Sequence, residues 1–149
     1  MLKMPEPDLQ TIGKRSAIVA ALRQIVPGEG VIETQGEMSV YESDGLTAYR
    51  QLPLAVVLPS TVEQVSAVLR YAFENAIKVV PRGAGTSLSG GALPLADGIV
   101  LGLSKFNRVL EIDYENRCAV VQPGVTNLAI TNAVQHRGFY YAPDPSMQR

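Results

Sequence analysis

The sequence contains one cysteine, one histidine and almost no net charge. Cys118 alone cannot form an internal disulfide or a metal site built from several thiolates, so we expect neither. The 13 Lys and Arg residues are balanced by 14 Asp and Glu residues. This balance argues against nucleic-acid binding driven by bulk positive charge. Apolar residues make up 46% of the chain, which excludes disorder throughout.

Long apolar runs are also missing. No run approaches the length that is needed to cross a bilayer, so no membrane span is expected. The first ten residues lack the apolar core of a secretory signal. Together with the scarcity of cysteine, this predicts a cytoplasmic protein. The 149 residues suffice for one domain with a substantial core.

The pattern of apolar residues predicts two regions, a leader over residues 1–49 and a more regular region over residues 50–149. Within the leader, helical spacing predicts a helix over residues 14–25. Val31-Ile32 is expected to form a short strand, and residues 38–45 are expected to form a loop.

The regular region begins with strand, helix and strand. Residues 54–58 form a short apolar run typical of a buried strand. Ser60 and Glu63 then match a capping box, and residues 77–80 form a second strand. Such a βαβ unit implies a parallel pair of strands. One helical face is expected to contain Val62, Val65, Val68, Leu69, Ala72 and Ala76.

Later elements follow from the same pattern. Residues 98–103 predict a strand, residues 108–113 and 117–122 a hairpin, and residues 128–136 a helix that ends at Gly138. The fold class is therefore α+β, with a βαβ unit followed by a more antiparallel section.

The most informative segment is the glycine-rich run Pro81–Gly91. It follows a predicted parallel strand, where α/β sheets place their ligands. Leu88 stands where a Rossmann fingerprint needs glycine, and Gly91-Ala92 replaces the Lys-Ser/Thr of a Walker A loop. Glycines still allow consecutive N–H groups to converge on an anion, for which a diphosphate is suited. Arg82 adds a positive charge near the mouth of the loop, or else its side chain simply lies in solvent. The alternative for the loop as a whole is a surface turn without a ligand.

A second proline-rich segment, Pro143-Asp144-Pro145-Ser146, is predicted to be rigid and extended. It could serve as a linker, or it could hold Asp144 and backbone groups against a flat ligand. The intervening Pro123-Gly124-Val125 is by itself only a turn that ends a strand.

Taken together, PRGAGTSLSGGALP, VVQPGVTNLAI and GFYYAPDPS resemble the PCMH-type FAD-binding domain of the vanillyl-alcohol oxidase flavoprotein superfamily. The likeness is strongest to FAD-linked 2-hydroxy-acid dehydrogenases of the glycolate oxidase type, and it covers about residues 41–149. It implies a 2-hydroxy acid such as glycolate or D-lactate as the substrate. It also implies that the phosphates of FAD contact Arg82, Gly83, Ala84, Gly85, Thr86, Ser87 and Gly90, and that Pro143, Asp144 and Ser146 lie beside the flavin.

The resemblance has further implications for chemistry. Some relatives attach FAD through a histidine at the position of Thr86, so FAD is expected to be non-covalent here. The family continues with a Gly-Gly-Asn segment, the rest of the FAD domain and a substrate cap, so the chain resembles the N-terminal part of an enzyme. No catalytic residue and no metal ligand is expected within it. Companion flavoprotein-like and iron–sulfur subunits are implied by the same likeness.

Two other functions remain open at this point. The chain could be a truncated remnant that is inactive alone, or a nucleotide-diphosphate-binding module without redox chemistry. His136, the only histidine, is interpreted as a solvated residue near a helix end. Cys118 is expected to be buried. Tyr140 and Tyr141 could flank the flavin, but aromatic residues in a strand more often pack into the core, which is the expectation here.

Overall fold

The computed structural model describes residues 4–143, and the chain divides between Gly102 and Leu103 into two compact units. Among the described residues, no helix is long and apolar enough to cross a membrane. The predicted boundary between residues 49 and 50 separates a leader from the start of a cofactor-binding domain. The division into compact units does not test it, so it stays a prediction.

The first unit begins with two helices, α1 (Leu9–Gly13) and α2 (Arg15–Ile25). The predicted helix over residues 14–25 is confirmed by α2, and α1 is an additional turn that the pattern did not predict. Asp8 caps α1 because its Oδ1 accepts the N–H of Gln10 at 2.9 Å. Helix α2 buries Ile18, Val19 and Leu22.

The segment after α2 contains more regular structure than predicted. Val31 and Ile32 form β1, as expected. The predicted loop over residues 38–45 is wrong at its start, because α3 (Gln35–Met38) and a 3₁₀ turn (Ser39–Tyr41) precede the irregular part. Thr34 caps α3 by accepting the N–H of Glu37, and the apolar Met38 is buried.

A four-stranded sheet forms the centre of the first unit. Its strands are β1, β2 (Ala55–Val57), β3 (Lys78–Arg82) and β4 (Gly98–Gly102), in the spatial order β1-β2-β4-β3. β2 and β3 are both parallel to β4, and β1 is antiparallel to β2. The predicted strands are therefore confirmed, but β2 and β3 are not a neighbouring pair. The wholly buried β4 lies between them, and its Val100 aligns with Val56 and Val80.

Helix α4 (Val62–Glu74) connects β2 to β3, as the βαβ pattern predicts. The predicted cap at Ser60 is wrong by one residue. Thr61 Oγ1 accepts the N–H of Gln64 at 3.2 Å, and Gln64 Oε1 accepts the N–H of Ser60 at 2.7 Å. Both N–H groups at the start of the helix are thereby satisfied.

The buried face of α4 is also narrower than the predicted stripe. Val68 and Ala72 are buried, whereas Val62 and Leu69 are 68% and 45% exposed. Successive residues of a helix are rotated by about 100° around its axis, so Leu69 does not lie on the same face as Val68. Ala76 lies beyond the helix and has a positive φ of 53°.

The second unit contains a hairpin and a helix. The hairpin pairs β5 (Val109–Asp113) with β6 (Cys118–Val121), as predicted. Its turn is held by Asp113, whose oxygens accept the backbone N–H and Nδ2 of Asn116 at 2.9 and 2.7 Å. Helix α5 (Asn127–Val134) continues as a 3₁₀ turn (Gln135–Arg137). It ends at Gly138, which has a φ of 76°.

Candidate functional site

The glycine-rich loop begins at the carboxyl end of β3. Since β3 and β4 are parallel and adjacent, this end of β3 lies at the sheet edge where α/β folds bind ligands. The sequence therefore predicted correctly where the loop leaves the sheet.

Two glycines of the loop adopt backbone angles that other residues rarely adopt. Gly85 and Gly90 have φ values of 74° and 78°. A Cβ at Gly85 would overlap the guanidinium group of Arg82, whereas a Cβ at Gly90 would meet no atom within 4 Å. Gly83 has neither a positive φ nor a close neighbour, so its backbone accepts a side chain without strain.

Backbone N–H groups form the donor set of the loop. Within residues 4–143, the structure gives no hydrogen-bond acceptor to the N–H groups of residues 84–88. These are five consecutive donors in a loop whose Thr86 side chain is exposed. Unsatisfied N–H groups beside left-handed residues are the usual components of an anion-binding nest. The residues present therefore fit a diphosphate.

Ser87 organises the second half of the loop. Its Oγ accepts the N–H groups of Ser89 and Gly91 at 3.3 and 3.0 Å. Those two backbone donors are thus directed towards Ser87, while its hydroxyl proton can still be donated. The five consecutive N–H groups without an acceptor among the described residues consequently lie before Ser89 and Gly91.

Arg82 does not lie in solvent, contrary to the alternative interpretation from the sequence. The residue is only 9% exposed. Its Nη1 donates to the carbonyl oxygens of Ser43 at 2.8 Å, Ala92 at 3.2 Å and Tyr41 at 3.4 Å. Its guanidinium carbon is also 5.6 Å from the centre of the Tyr41 ring, within the range of a cation–π contact.

The segment Tyr41–Gly45 also contacts the loop, and no sequence pattern predicted this contact. A Cβ at Gly45 would lie 2.9 Å from the carbonyl oxygens of Thr86 and Ser87. Asp44 is 5% exposed, and its Oδ1 accepts the N–H of Leu46 at 2.9 Å. Its buried Oδ2 has no hydrogen-bond partner among the described residues. The dipeptide Asp44-Gly45 indicates a turn, but no local signal indicates what the turn contacts.

The remaining predicted site residues belong to the end of the second unit. The carbonyl oxygen of Pro143 accepts a long hydrogen bond, 3.5 Å, from Asn127 Nδ2. Asp144 and Ser146 lie outside the described residues. His136 is exposed in the 3₁₀ turn after α5.

Two expectations about the second unit are wrong. Cys118 is exposed, and so are Tyr140 and Tyr141, at 74% and 41%. Cys118 occupies an outward position of a two-stranded hairpin, and both tyrosines follow the helix end. They line an open cavity of about 590 Å³ together with Tyr114 and Phe139.

Comparison with known protein families gives one match over most of the chain. The family described as "FAD binding domain" matches residues 53–149. The glycine-rich loop and the segment after α5 both lie within the matched residues.

Known proteins are similar over most of the chain's length. The glycolate oxidase subunit GlcD of Escherichia coli K12 is 52% identical over 134 residues, which cover 90% of this chain and 27% of GlcD. A D-2-hydroxyglutarate dehydrogenase of Xanthomonas citri is 35% identical over 85% of this chain and 27% of its own. A D-lactate dehydrogenase of Archaeoglobus fulgidus is 44% identical over 62% of this chain and 21% of its own. The chain thus spans about a quarter of the length of these relatives.

Solved structures share the fold. The substrate-bound crystal structure of p-cresol methylhydroxylase superposes with a TM-score of 0.73 at 27% identity, covering 85% of this chain and 25% of that enzyme. The α+β arrangement of this chain is therefore that of part of a PCMH-type FAD-binding domain.

Proposed function

The chain belongs to the family of FAD-binding domains, and we propose that it is the FAD-binding portion of an oxidoreductase that oxidises a 2-hydroxy acid. The glycolate or D-lactate type of substrate is supported by the names of the similar proteins, which act on glycolate, D-2-hydroxyglutarate and D-lactate. The single observation that carries the proposal is the row of free N–H groups in the loop after β3.

The loop is proposed to hold the pyrophosphate of FAD. The backbone of residues 84–88 supplies the N–H donors, and the hydroxyls of Thr86 and Ser87 add two more. Gly90 supplies the second left-handed turn, which closes the loop. Pro143, Asp144 and Ser146 are proposed to lie beside the flavin. Arg82 is proposed to act on the shape of the loop, as argued below.

Bound FAD would accept a hydride from the carbon that carries the substrate hydroxyl. The residues of this chain hold and orient the cofactor, and no proton-transfer role is proposed for any of them. His136 is exposed in a turn of the second unit and has no buried polar partner in the described residues. We accordingly expect no turnover of glycolate or D-lactate by the 149-residue chain alone.

FAD is proposed to bind without a covalent bond, because Thr86 has no nucleophilic nitrogen. Acid precipitation of the FAD-loaded chain should therefore release all of the flavin into the supernatant. A pellet that stays yellow after washing would contradict this expectation.

The domain limits and the partners complete the proposal. Residues 50–149 are proposed to be the N-terminal part of the FAD-binding domain, preceded by the leader at residues 1–49. The start of the family match at residue 53 supports this limit. A cytoplasmic location and association with flavoprotein-like and iron–sulfur subunits are proposed as well, and the naming of GlcD as a subunit supports an assembly.

Titration of the chain with FAD, riboflavin and ADP tests the proposed function. FAD should bind at least ~10-fold more tightly than riboflavin, because riboflavin lacks the pyrophosphate that the N–H groups recognise. FAD should also bind more tightly than ADP, since a flavin site adds to the phosphate site. Equal affinities for FAD and riboflavin would contradict the loop assignment, and equal affinities for FAD and ADP would favour a nucleotide module without redox chemistry.

A further inference from the structure

The buried guanidinium group of Arg82 connects three parts of the first unit. Arg82 is the last residue of β3 and the first residue of the loop. Through Nη1 it donates to Ala92, at the far end of the loop, and to Ser43, in the segment before β2. One side chain therefore fixes both ends of the loop and attaches them to a neighbouring segment.

Gly85 packs directly against this side chain. A Cβ at residue 85 would lie 2.7 Å from Nε of Arg82 and still closer to Cζ and Nη2. The loop thus folds back on the guanidinium group, with its left-handed Gly85 in contact. Glycine is therefore favoured at residue 85 for two reasons. Its φ is 74°, and the Arg82 side chain occupies the space that a Cβ would need.

The segment Tyr41–Gly45 supports the loop from another side. Tyr41 places its ring by the guanidinium group, and Gly45 packs against the carbonyl oxygens of Thr86 and Ser87. Asp44, between them, is buried. The loop is therefore held between Arg82 and this segment.

From this packing we propose that Arg82 is a positioning residue, which holds the loop in its binding shape through carbonyl hydrogen bonds rather than by direct contact with phosphate. The segment Tyr41–Gly45 is then part of the cofactor site. This inference rests on the proposed function, in which the loop binds the FAD pyrophosphate.

The contacts of Arg82 depend on the length and shape of its side chain, and not on its charge alone. Within residues 4–143, no carboxylate lies within ion-pair distance of Arg82, and carbonyl oxygens satisfy Nη1 instead. A lysine would retain the charge, but its side chain is one atom shorter. It would lack the Nη1 that donates to Ser43 and Ala92 and the Nη2 that lies against Gly85.

The first test is a double-mutant cycle read from the thermal midpoint of the full 149-residue chain, without FAD. Gly28 is the matched control because its φ is 72° and no atom lies within 4 Å of its Cβ position. Gly28→Ala should lower the Tm by roughly 2–6 °C through backbone strain. Gly85→Ala should lower it at least twice as much, because strain and overlap with Arg82 add. In an Arg82→Met background, the Gly85→Ala shift should become smaller, because methionine lacks the Cζ and Nη2 atoms that lie closest to the added Cβ.

Equal shifts for Gly85→Ala in both backgrounds would overturn the proposal. If Arg82→Met does not fold, the packing of Gly85 against Arg82 is still tested by comparing Gly85→Ala with Gly28→Ala, since both variants retain Arg82. A Gly85→Ala shift no larger than that of Gly28→Ala would then overturn it.

The second test measures FAD affinity in Arg82→Lys and Arg82→Met. Both variants should lose at least ~10-fold in affinity, and by similar factors, since neither side chain carries a donor at the position of Nη1. Wild-type affinity in Arg82→Lys together with a large loss in Arg82→Met would show that the charge acts on phosphate, and would overturn the positioning role. If the wild-type chain folds but binds no FAD, the proposed function fails while the Tm cycle still tests the packing of Arg82 on Gly85.

Discussion

Gly85 is the residue of the loop at which two constraints coincide. Its φ of 74° lies in the left-handed region, and the Arg82 guanidinium fills the space where a side chain would begin. Gly90 shares the positive φ without the close neighbour, and Gly83 shares neither constraint. The three glycines of this loop therefore differ in how well they would tolerate a side chain. The sequence alone does not show this difference.

Replacement of Gly85 by valine should nearly abolish FAD binding. A β-branched residue at this φ costs about 2 kcal/mol, so we expect at least a ~30-fold loss of affinity, and overlap with Arg82 adds to this loss. Gly28→Val is the control, because it carries the same strain outside the loop. It should lower the Tm but leave the FAD dissociation constant unchanged. Fluorescence titration of folded variants measures both, and unchanged FAD affinity in Gly85→Val would remove the loop from the site.

Asp97 is a buried carboxylate that ties the start of β4 to two other segments. Its Oδ2 accepts a hydrogen bond from Lys78 Nζ at 2.5 Å and another from the N–H of Asp8 at 2.8 Å. Burial alone would raise the pKa of Asp97, but these hydrogen bonds and the Lys78 charge outweigh burial and lower the pKa below its ordinary value of 3.8. The charged form of Asp97 therefore stabilises the fold.

This direction of shift predicts a pH dependence. A lowered pKa in the folded state contributes stability that is fully present above the ordinary pKa and is lost as the pH falls through the folded pKa. Wild type should thus be more stable than Asp97→Asn at neutral pH, and the difference should shrink below about pH 4. Thermal midpoints of both proteins from pH 7 down to pH 2 measure the difference. A difference that grows on acidification would contradict the assignment of these contacts.

At the scale of elements, the start of α4 depends on a hydroxyl one residue later than the sequence pattern favours. Both Ser60 and Thr61 can cap a helix, and Glu63 and Gln64 can each close a capping box. The structure uses Thr61 with Gln64, because helical geometry begins at Val62. When two adjacent residues can both cap a helix, the sequence does not decide which one does. The packing of the helix on the sheet decides it.

Substitution of each hydroxyl distinguishes the two caps. Thr61→Ala should lower the free energy of unfolding by about 1 kcal/mol, because the N–H of Gln64 loses its acceptor. Ser60→Ala should change the free energy of unfolding by less than about 0.5 kcal/mol, since the N–H of Ser60, not its hydroxyl, makes the hydrogen bond. Urea unfolding of both variants measures the effect. A larger loss in Ser60→Ala would restore the cap to Ser60.

The order of the strands shows where sequence patterns stop being informative. The apolar runs correctly predicted β2, β3 and β4, and the helix between the first two. They did not predict that β4 lies between β2 and β3, because pairing depends on contacts that are distant in sequence. The same limit applies at the site. The loop after β3 was predicted from its glycines, whereas burial of Arg82 among the carbonyls of Tyr41, Ser43 and Ala92 depends on segments that only the fold brings together.

At the scale of the whole molecule, the family membership and the loop geometry lead to one conclusion. The family match covers residues 53–149, and the donors suited to a diphosphate lie at residues 84–88. The proposed phosphate site therefore lies at the end of β3, and the leader segment Tyr41–Gly45 packs against that same loop. Cofactor binding by this chain should depend on both regions.

The most direct test is a ¹⁵N–¹H correlation spectrum of the labelled 149-residue chain recorded during titration with FAD. The account predicts that the amide signals of Ala84–Leu88 shift most and in a saturable manner, because their N–H groups bind the pyrophosphate. Inorganic pyrophosphate should shift the same signals, and riboflavin should leave them in place. Saturable FAD binding with its largest shifts elsewhere, such as among the residues around the cavity at Tyr140 and Tyr141, would contradict the central claim.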